Sequence, residues 1–364
     1  MVDFIHTGDL HLGLEFTNVD LDREKSNERK IELWNTFERI VKKSIEDKVD
    51  FLFIAGDLFE EKYFTIKDIN RVKYTLAKAE NVDVILVTGN HDTINRKSLY
   101  HLVDWPENVT ILGVNGLEKK EFPDKNTNVY GYSWSKGEIQ EDLFHDFDGL
   151  NKDMINILVI HGDVLNGGSK YLPLNKNSLL ELGFDYIALG HIHKPTIFSH
   201  KIAYCGSPEP LDFGEIGEHG IIKGSITDEG TRIEFVPFSK RMFLEMHINI
   251  NETMSYMDII DKIKQCAQDR DKNLYRIILR GILNPTVELS VKDIEKSLQD
   301  DFYHIEIVND TVVDYDLTAL KEENKDNIIG CFIEEMEKRD LKDRINRQAL
   351  YIGLEVLLKG KVEL

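Results

Sequence analysis

The chain has 364 residues, ordinary apolar content and a formal charge of −20. That length exceeds one typical domain, and no apolar run of about 18 residues is present to span a bilayer. A net charge this negative excludes capture of nucleic acid by long-range attraction to the whole chain, so any polyanion must be held locally or through a partner. The N-terminus has no basic segment before an apolar stretch, and a cytoplasmic location is expected. Cys205, Cys266 and Cys331 lie far apart without metal-ligand spacing and are expected as reduced thiols.

In chain order, the β-rich apolar runs at residues 2–5, 51–55, 82–87, 155–160 and 186–189 predict strands. Between the first two, Ile31, Trp34, Phe37, Val41 and Ile45 recur at helical spacing. A second helix is predicted over residues 66–79. Strand runs this continuously apolar imply sheets covered on both faces, hence an α/β sandwich. After Arg241 the pattern changes. Strands over 243–250, 275–279 and 303–308 alternate with helices over 256–268 and 291–298, a small β-α-β-α-β unit. Beyond Asp316 the chain is charged and helical. Ile329, Phe332, Ile333 and Met336 form one apolar stripe; Ile345, Ala349, Ile352 and Val356 form another, with a junction near residues 339–342.

Five polar clusters each follow an apolar strand directly. They are Asp9-Leu10-His11, Gly56-Asp57, Gly89-Asn90-His91-Asp92, His161-Gly162 and Gly190-His191-Ile192-His193. Metal-assisted phosphoester hydrolysis needs this mixture: hard anionic oxygens, imidazoles for borderline cations, and one carboxylate shared by two ions about 3.5–4 Å apart. Alternate residues of an extended turn point the same way, which suits the Asp9/His11 and His191/His193 pairs. Asp57 is the candidate bridge, and Asn90 offers a neutral amide oxygen. Each cluster alone is commonplace in turns; five in order after five strands are not.

The series GDLH, GDLF, GNHD, HGD and GHIH resembles the calcineurin-like metallophosphoesterase superfamily. With the segment GSPEPLDFGE at residues 206–215, it resembles more narrowly the SbcD-type DNA-repair nucleases. The resemblance implies a four-layer α-β-β-α sandwich with a small α+β capping domain and a helical C-terminal tail. The expected boundaries are residues 1–240, 241–316 and 317–364. It implies that Asp9, His11, Asp57 and His193 hold one divalent ion, and that Asp57, Asn90, His161 and His191 hold a second. Manganese is the expected metal; iron and zinc suit the same ligands. Two dications on two carboxylates leave about two positive charges, a local trap for a phosphodiester. Water made acidic between the ions would attack phosphorus in line. His91 is the expected proton donor to the leaving oxygen, with Asp92 orienting its ring. Where several nucleases of the family carry a second histidine, this chain has Glu60-Glu61, so a phosphate contact there is not carried over.

The activity expected is a two-metal DNA phosphodiesterase, a 3'-5' exonuclease and single-strand endonuclease on DNA ends in double-strand break repair. Ser207, Arg276 and Arg280 are candidate DNA contacts. The helical tail is a candidate docking site for an SbcC-like ABC ATPase with coiled-coil arms, and a homodimer is implied by the resemblance. The alternatives are a standalone phosphodiesterase or phosphatase for a small molecule or phosphoprotein, and a scaffold subunit with a structural metal site. The remaining histidines, His6, His101, His145, His200, His219, His247 and His304, lack ligand spacing and are expected to be structural or solvated.

Overall fold

The computed structural model describes residues 1–140, 143–144, 147, 149–283, 287, 289–313, 315–341 and 343–359. The chain divides into two compact units, Met1–Phe243 and Leu244–Leu364.

In the first unit the elements run β1 (Val2–Thr7), α1 (Arg23–Glu46), β2 (Phe51–Ala55), α2 (Ile66–Ala77), β3 (Asp83–Val87), β4 (Val109–Ile111), β5 (Glu118–Phe122) and β6 (Thr127–Tyr132). They continue with β7 (Ile155–His161), α3 (Lys176–Glu181), β8 (Tyr186–Gly190), β9 (Thr196–Ser199), β10 (Ile202–Tyr204), β11 (Gly220–Thr227) and β12 (Gly230–Pro237). Two six-stranded sheets result, ordered β12-β11-β1-β2-β3-β4 and β5-β6-β7-β8-β10-β9. The strands from β1 to β4 pair in parallel, as do β6, β7, β8 and β10.

Successive strand residues point to opposite faces, and here both faces are apolar. Phe4, Phe51, Phe53 and Ala55 pack with Ile157, Val159, Tyr186 and Ala188, a core between the sheets. Ile5, Leu52 and Ile54 pack outward with Leu33, Phe37 and Val41 of α1 and with Ile69 and Val72 of α2. On the second sheet, Leu158, Ile160, Ile187 and Leu189 face Leu179 of α3 together with Trp134 and Leu172. This is the predicted α/β sandwich, and it explains why these strands read as unbroken apolar runs. Helix α1 begins where the Asp22 side chain caps the Lys25 amide at 2.8 Å. Ile31 and Ile45, expected on its apolar stripe, are exposed; Leu33 and Ile40 take the buried places beside Trp34, Phe37 and Val41.

The second unit contains β13 (Phe243–Ile250), which starts at the boundary, then α4 (Tyr256–Cys266), β14 (Leu274–Leu283), α5 (Val291–Leu298) and β15 (His304–Val313). The sheet order is β13-β14-β15, with β14 parallel to β15. Ile259 and Ile263 of α4 and Ile294 and Leu298 of α5 pack on Tyr275, Ile277, Leu279 and Ile307. Helices α6 (Leu317–Glu323), α7 (Ile328–Glu337) and α8 (Arg344–Lys359) follow. Ile333 and Met336 of α7 pack as predicted, but their partners on α8 are Leu350 and Leu354. The stripe of Ile345, Ala349, Ile352 and Val356 is exposed. Apolar residues occupy two faces of α8, and the pair spaced i, i+4 is the one that meets α7. Among the described residues no helix is long and apolar enough to cross a membrane.

Candidate metal centre

Parallel strands bring their carboxyl ends to one edge of a sheet, the usual place for ligand groups in α/β folds. Here the turns after β1 and β2 are laced together: Asp9 N–H donates to Gly56 O, His11 N–H to Asp57 O and Leu12 N–H to Leu58 O, each at 3.0 Å. Asp9, His11, Asp57 and His191 adopt φ of 48°, 44°, 49° and 104°. Each costs about 1–3 kcal/mol in the left-handed region. Eight described non-glycine residues have positive φ, and four of them are expected ligands. Strain is therefore concentrated where the chain must aim polar groups inward. Gly190 leaves room where a Cβ would run into the Ala55 carbonyl.

The expected ligands from all five turns meet. His11 Nε2 lies 3.0 Å from His193 Nε2 and 3.8 Å from Asp57 Oδ2; His193 Nε2 lies 4.0 Å from Asp9 Oδ1. On the other side, His161 Nε2 is 3.3 Å from Asp57 Oδ2 and 3.0 Å from Asn90 Oδ1. The His191 ring lies 5.2 Å from that of His161, and its backbone N–H donates to Asp9 at 3.0 Å. Asp57 Oδ2 thus faces both groups, the position a bridging carboxylate requires.

Hydrogen bonds behind the rings decide which nitrogen faces inward. His11 Nδ1 is 2.7 Å from Glu60, His193 Nδ1 is 2.6 Å from Glu215, and His161 Nδ1 is 3.0 Å from the Ala55 carbonyl. Ionised carboxylates and carbonyls only accept, so each Nδ1 carries a proton and each Nε2 faces the cluster. Carboxylate, amide and imidazole donors together fit a divalent first-row cation.

The electrostatics agree. Burial opposes ionisation of Asp57, but His161 and His11 outweigh it and hold the carboxyl below its usual range. Burial also opposes charge on His161 and His193; Asp57 for the first and Glu215 for the second raise both to about 9. Carboxylates in the pocket thus favour positive charge, the charge that divalent ions would supply. His191, half-buried beside His161, is lowered to about 4.

His91 stands next to Asn90, with its backbone N–H donating to Asp57 Oδ1 at 2.9 Å. Its side chain is 43% exposed, and its ring meets that of His11 edge-on at 4.9 Å. Asp92 does not orient it. The buried Asp92 carboxylate accepts from Gly89 N–H at 2.7 Å, Leu58 N–H at 2.9 Å and Tyr100 Oη at 2.6 Å. It turns inward because those loop amides have to be satisfied away from water. His91 Nδ1 instead meets Glu60 at 3.0 Å, whose hydrogen bond raises the His91 pKa.

The candidate DNA contacts are each engaged by neighbouring side chains. Ser207 is fully buried; its Oγ lies 3.0 Å from both Glu215 and His219 Nδ1. The segment at 206–215 therefore supports the expected ligand His193 through Glu215 and offers no Ser207 surface to a polymer. Arg276 and Arg280 share one face of β14, as expected, but each Nε meets the acid directly across on β15: Glu306 at 3.0 Å and Asp310 at 3.2 Å. Of the other histidines, His6 and His219 are buried, His304 is half-buried, and His101, His200 and His247 are exposed. His145 lies outside the described residues.

Sequence reading missed Glu60, Glu215 and two aromatics. Trp134 Nε1 donates to the His161 carbonyl at 2.8 Å, and the Tyr171 ring lies 5.2 Å from that of His191. Glu60 was visible three residues after Asp57; the others stand in no periodic relation to a ligand.

Two packed sheets whose carboxyl ends pool two aspartates, an amide and four histidines define a dinuclear metallohydrolase architecture. The sequence pattern of the calcineurin-like phosphoesterases matches residues 2–195, and the chain belongs to that family. It is a metallophosphoesterase, a hydrolase of a class that works with two divalent metal ions. It is 23% identical to the Bacillus subtilis metallophosphoesterase YhaO over 93% of this chain and 88% of that one. It is 30% identical to the DNA double-strand break repair protein Mre11 of Archaeoglobus fulgidus, over 67% of this chain and 61% of that one. Mre11 of Methanocaldococcus jannaschii is 29% identical, over 72% of this chain and 73% of that one.

Proposed function

We propose that this chain is an SbcD-like DNA phosphodiesterase, a 3'-5' exonuclease and single-strand endonuclease acting on DNA ends in break repair. The observation that carries the reading is the similarity to two archaeal proteins named for double-strand break repair, which covers more of the chain than the phosphoesterase pattern does.

When bound, two divalent ions, manganese in this reading, supply Lewis acidity and make water acidic at neutral pH. Asp9, His11, Asp57 and His193 would hold one, and Asp57, Asn90, His161 and His191 the other. Glu215 and the Ala55 carbonyl keep the His193 and His161 rings turned so that Nε2 faces inward. His91, half-exposed beside Asn90, presents Nε2 to the scissile group and hands its proton to the departing oxygen.

In the same reading, residues 241–316 cap the DNA, and residues 317–364 dock an SbcC-like ABC ATPase through the exposed Ile345, Ala349, Ile352 and Val356 of α8. The ATPase brings the basic surface that a chain of charge −20 lacks. The nuclease works as a homodimer in the cytoplasm, where its three free cysteines stay reduced. That same charge, and the acids facing Arg276 and Arg280, favour the second reading, a standalone phosphodiesterase or phosphatase for a small molecule or phosphoprotein.

Purified protein given Mn²⁺ with end-labelled duplex DNA, and separately with a generic phosphodiester, decides between them. Nucleotide release that disappears in His91→Gln at unchanged metal content is expected. Turnover of the small ester alone overturns the DNA reading. Equal recovery of an ATPase partner with and without residues 317–364 removes the docking role.

A further inference from the structure

Ser207 and His219 are both fully buried behind His193, and neither belongs to the expected ligand set. The chain at residues 206–207 runs hard against His193. Ser207 N–H donates to the His193 carbonyl at 2.9 Å, and a Cβ on Gly206 would lie 2.5 Å from that same oxygen. From there the Ser207 hydroxyl reaches Glu215 Oε2 at 3.0 Å, where Leu211 N–H also donates at 2.9 Å. The other oxygen of that carboxylate, Oε1, meets His193 Nδ1 at 2.6 Å. Glu215 is thus held through one oxygen and holds the ring with the other. A carboxylate gripped at both ends does not turn about its own axis, and the imidazole it meets takes its orientation from it.

The Ser207 hydroxyl has a single hydrogen and a choice of acceptors. Its Oγ lies 3.0 Å from Glu215 Oε2, 3.0 Å from His219 Nδ1 and 3.5 Å from the His193 carbonyl. His219 decides among them. Its Nδ1 stands 2.8 Å from the Ser207 carbonyl, and its Nε2 stands 3.1 Å from the Glu215 carbonyl. A carbonyl oxygen only accepts, and a bare nitrogen lone pair 2.8 Å away would be repelled, so Nδ1 carries a proton. That nitrogen then has nothing to accept with. The hydroxyl hydrogen goes to Glu215, which is nearer than the His193 carbonyl and carries the charge.

We propose that Ser207 and His219 are positioning residues for the ion that His193 would hold, the hydroxyl fixing the Glu215 carboxylate and the imidazole directing the hydroxyl hydrogen to it. The other ion is not reached this way, because main chain orients His161, whose Nδ1 lies 3.0 Å from the Ala55 carbonyl. The proposal rests on His193 being a ligand in the two-metal reading, and its test reads bound metal so that it stands apart from the DNA reading.

Ser207→Ala, which keeps the backbone N–H to His193, is titrated with Mn²⁺ by calorimetry and by electron paramagnetic resonance. One of the two ions is expected to bind about tenfold more weakly, the lower end of the usual cost of losing a group behind a ligand histidine, and the other to bind as in wild type. At Mn²⁺ concentrations between the two affinities, the signal of a coupled ion pair gives way to that of an isolated ion. Lost stability alone does not produce that signature. In the Glu215→Ala background the same change alters Mn²⁺ affinity by less than about twofold, because the group through which Ser207 acts is gone. At position 219, an asparagine amide can stand where Nδ1 stands, and a glutamine amide where Nε2 stands. His219→Asn is therefore expected to keep wild-type affinity, and His219→Gln to weaken the same ion about tenfold. These two variants carry the test if Ser207→Ala does not fold. Wild-type affinity for both ions in Ser207→Ala, equal weakening of both, losses that multiply with Glu215→Ala, or identical behaviour of His219→Asn and His219→Gln overturn the proposal. Fewer than two Mn²⁺ per wild-type chain overturns it together with the ligand assignment, whereas failure to release nucleotides from DNA sinks the DNA reading alone.

Discussion

Gly56→Ala tests the geometry of the centre without touching a ligand. Gly56 has φ +88°, and a Cβ there would run into the His161 ring, closest at Nδ1, with Cγ at 2.6 Å. An L-residue in that backbone region costs about 1–2 kcal/mol. Ordinary contact begins at 3.4 Å, so the imidazole has to retreat by about 1 Å, whereas metal–ligand distances tolerate about 0.2 Å. Retreat also stretches the 3.0 Å bond from His161 Nδ1 to the Ala55 carbonyl, worth about 1 kcal/mol. The variant is therefore expected to fold with stability lower by about 2–3 kcal/mol. It should lose the ion that His161 holds, and turn over a generic phosphodiester about 100-fold more slowly. Elemental analysis after dialysis reads the metal, denaturant unfolding the stability, and a chromogenic diester the rate. Gly137→Ala, where an added Cβ meets nothing within 4 Å, is the control expected to match wild type. Two ions per chain at wild-type affinity in Gly56→Ala would refute the reasoning.

Two further outcomes follow from the same geometry. Glu215→Ala removes the acceptor behind His193 Nδ1 and strips Leu211 N–H of its 2.9 Å partner; Mn²⁺ affinity is expected to fall about 10–100-fold, and calorimetric titration showing no change would refute it. His6 is fully buried against Tyr186, its Nδ1 2.9 Å from the hydroxyl, and burial lowers its pKa from 6.5 to about 3. A folded-state pKa below the unfolded one means the unfolded chain binds the extra proton, so this contribution is complete above pH 6.5 and is lost as pH falls toward 3. At pH 5 the loss is about 2 kcal/mol. Denaturant midpoints of wild type and His6→Gln, measured from pH 7 to 5, should converge by that amount; parallel pH dependence would exclude it.

The arrangement of the centre was legible because each part of it is local. An apolar run ends, a glycine-containing turn follows, and the polar groups of that turn can only stand at the strand's carboxyl end. Five such units after β1, β2, β3, β7 and β8 imply convergence once the strands lie in parallel. The sheets' edges were less legible. β4 and β10 are only three residues each, too short for a pattern, and β12 has exposed alternate residues. Two assignments failed for a common reason, that an acid or hydroxyl adjacent in sequence need not be adjacent in space. Asp92 follows His91 directly yet turns away to bind Gly89, Leu58 and Tyr100, while Glu60, 31 residues earlier, takes the ring. Ser207, a candidate DNA contact, is buried beside Glu215.

On α8 the sequence pointed to Ile345, Ala349, Ile352 and Val356, and packing selected Leu350 and Leu354 instead. Local sequence thus determined which residues stand at strand ends, through alternation and turn chemistry acting within a few residues. Tertiary structure alone decided which carboxylate stands behind each histidine, and so which nitrogen faces inward. A hydrogen-bond acceptor is chosen by proximity after the chain has closed, and nothing within a few residues of a histidine records that choice.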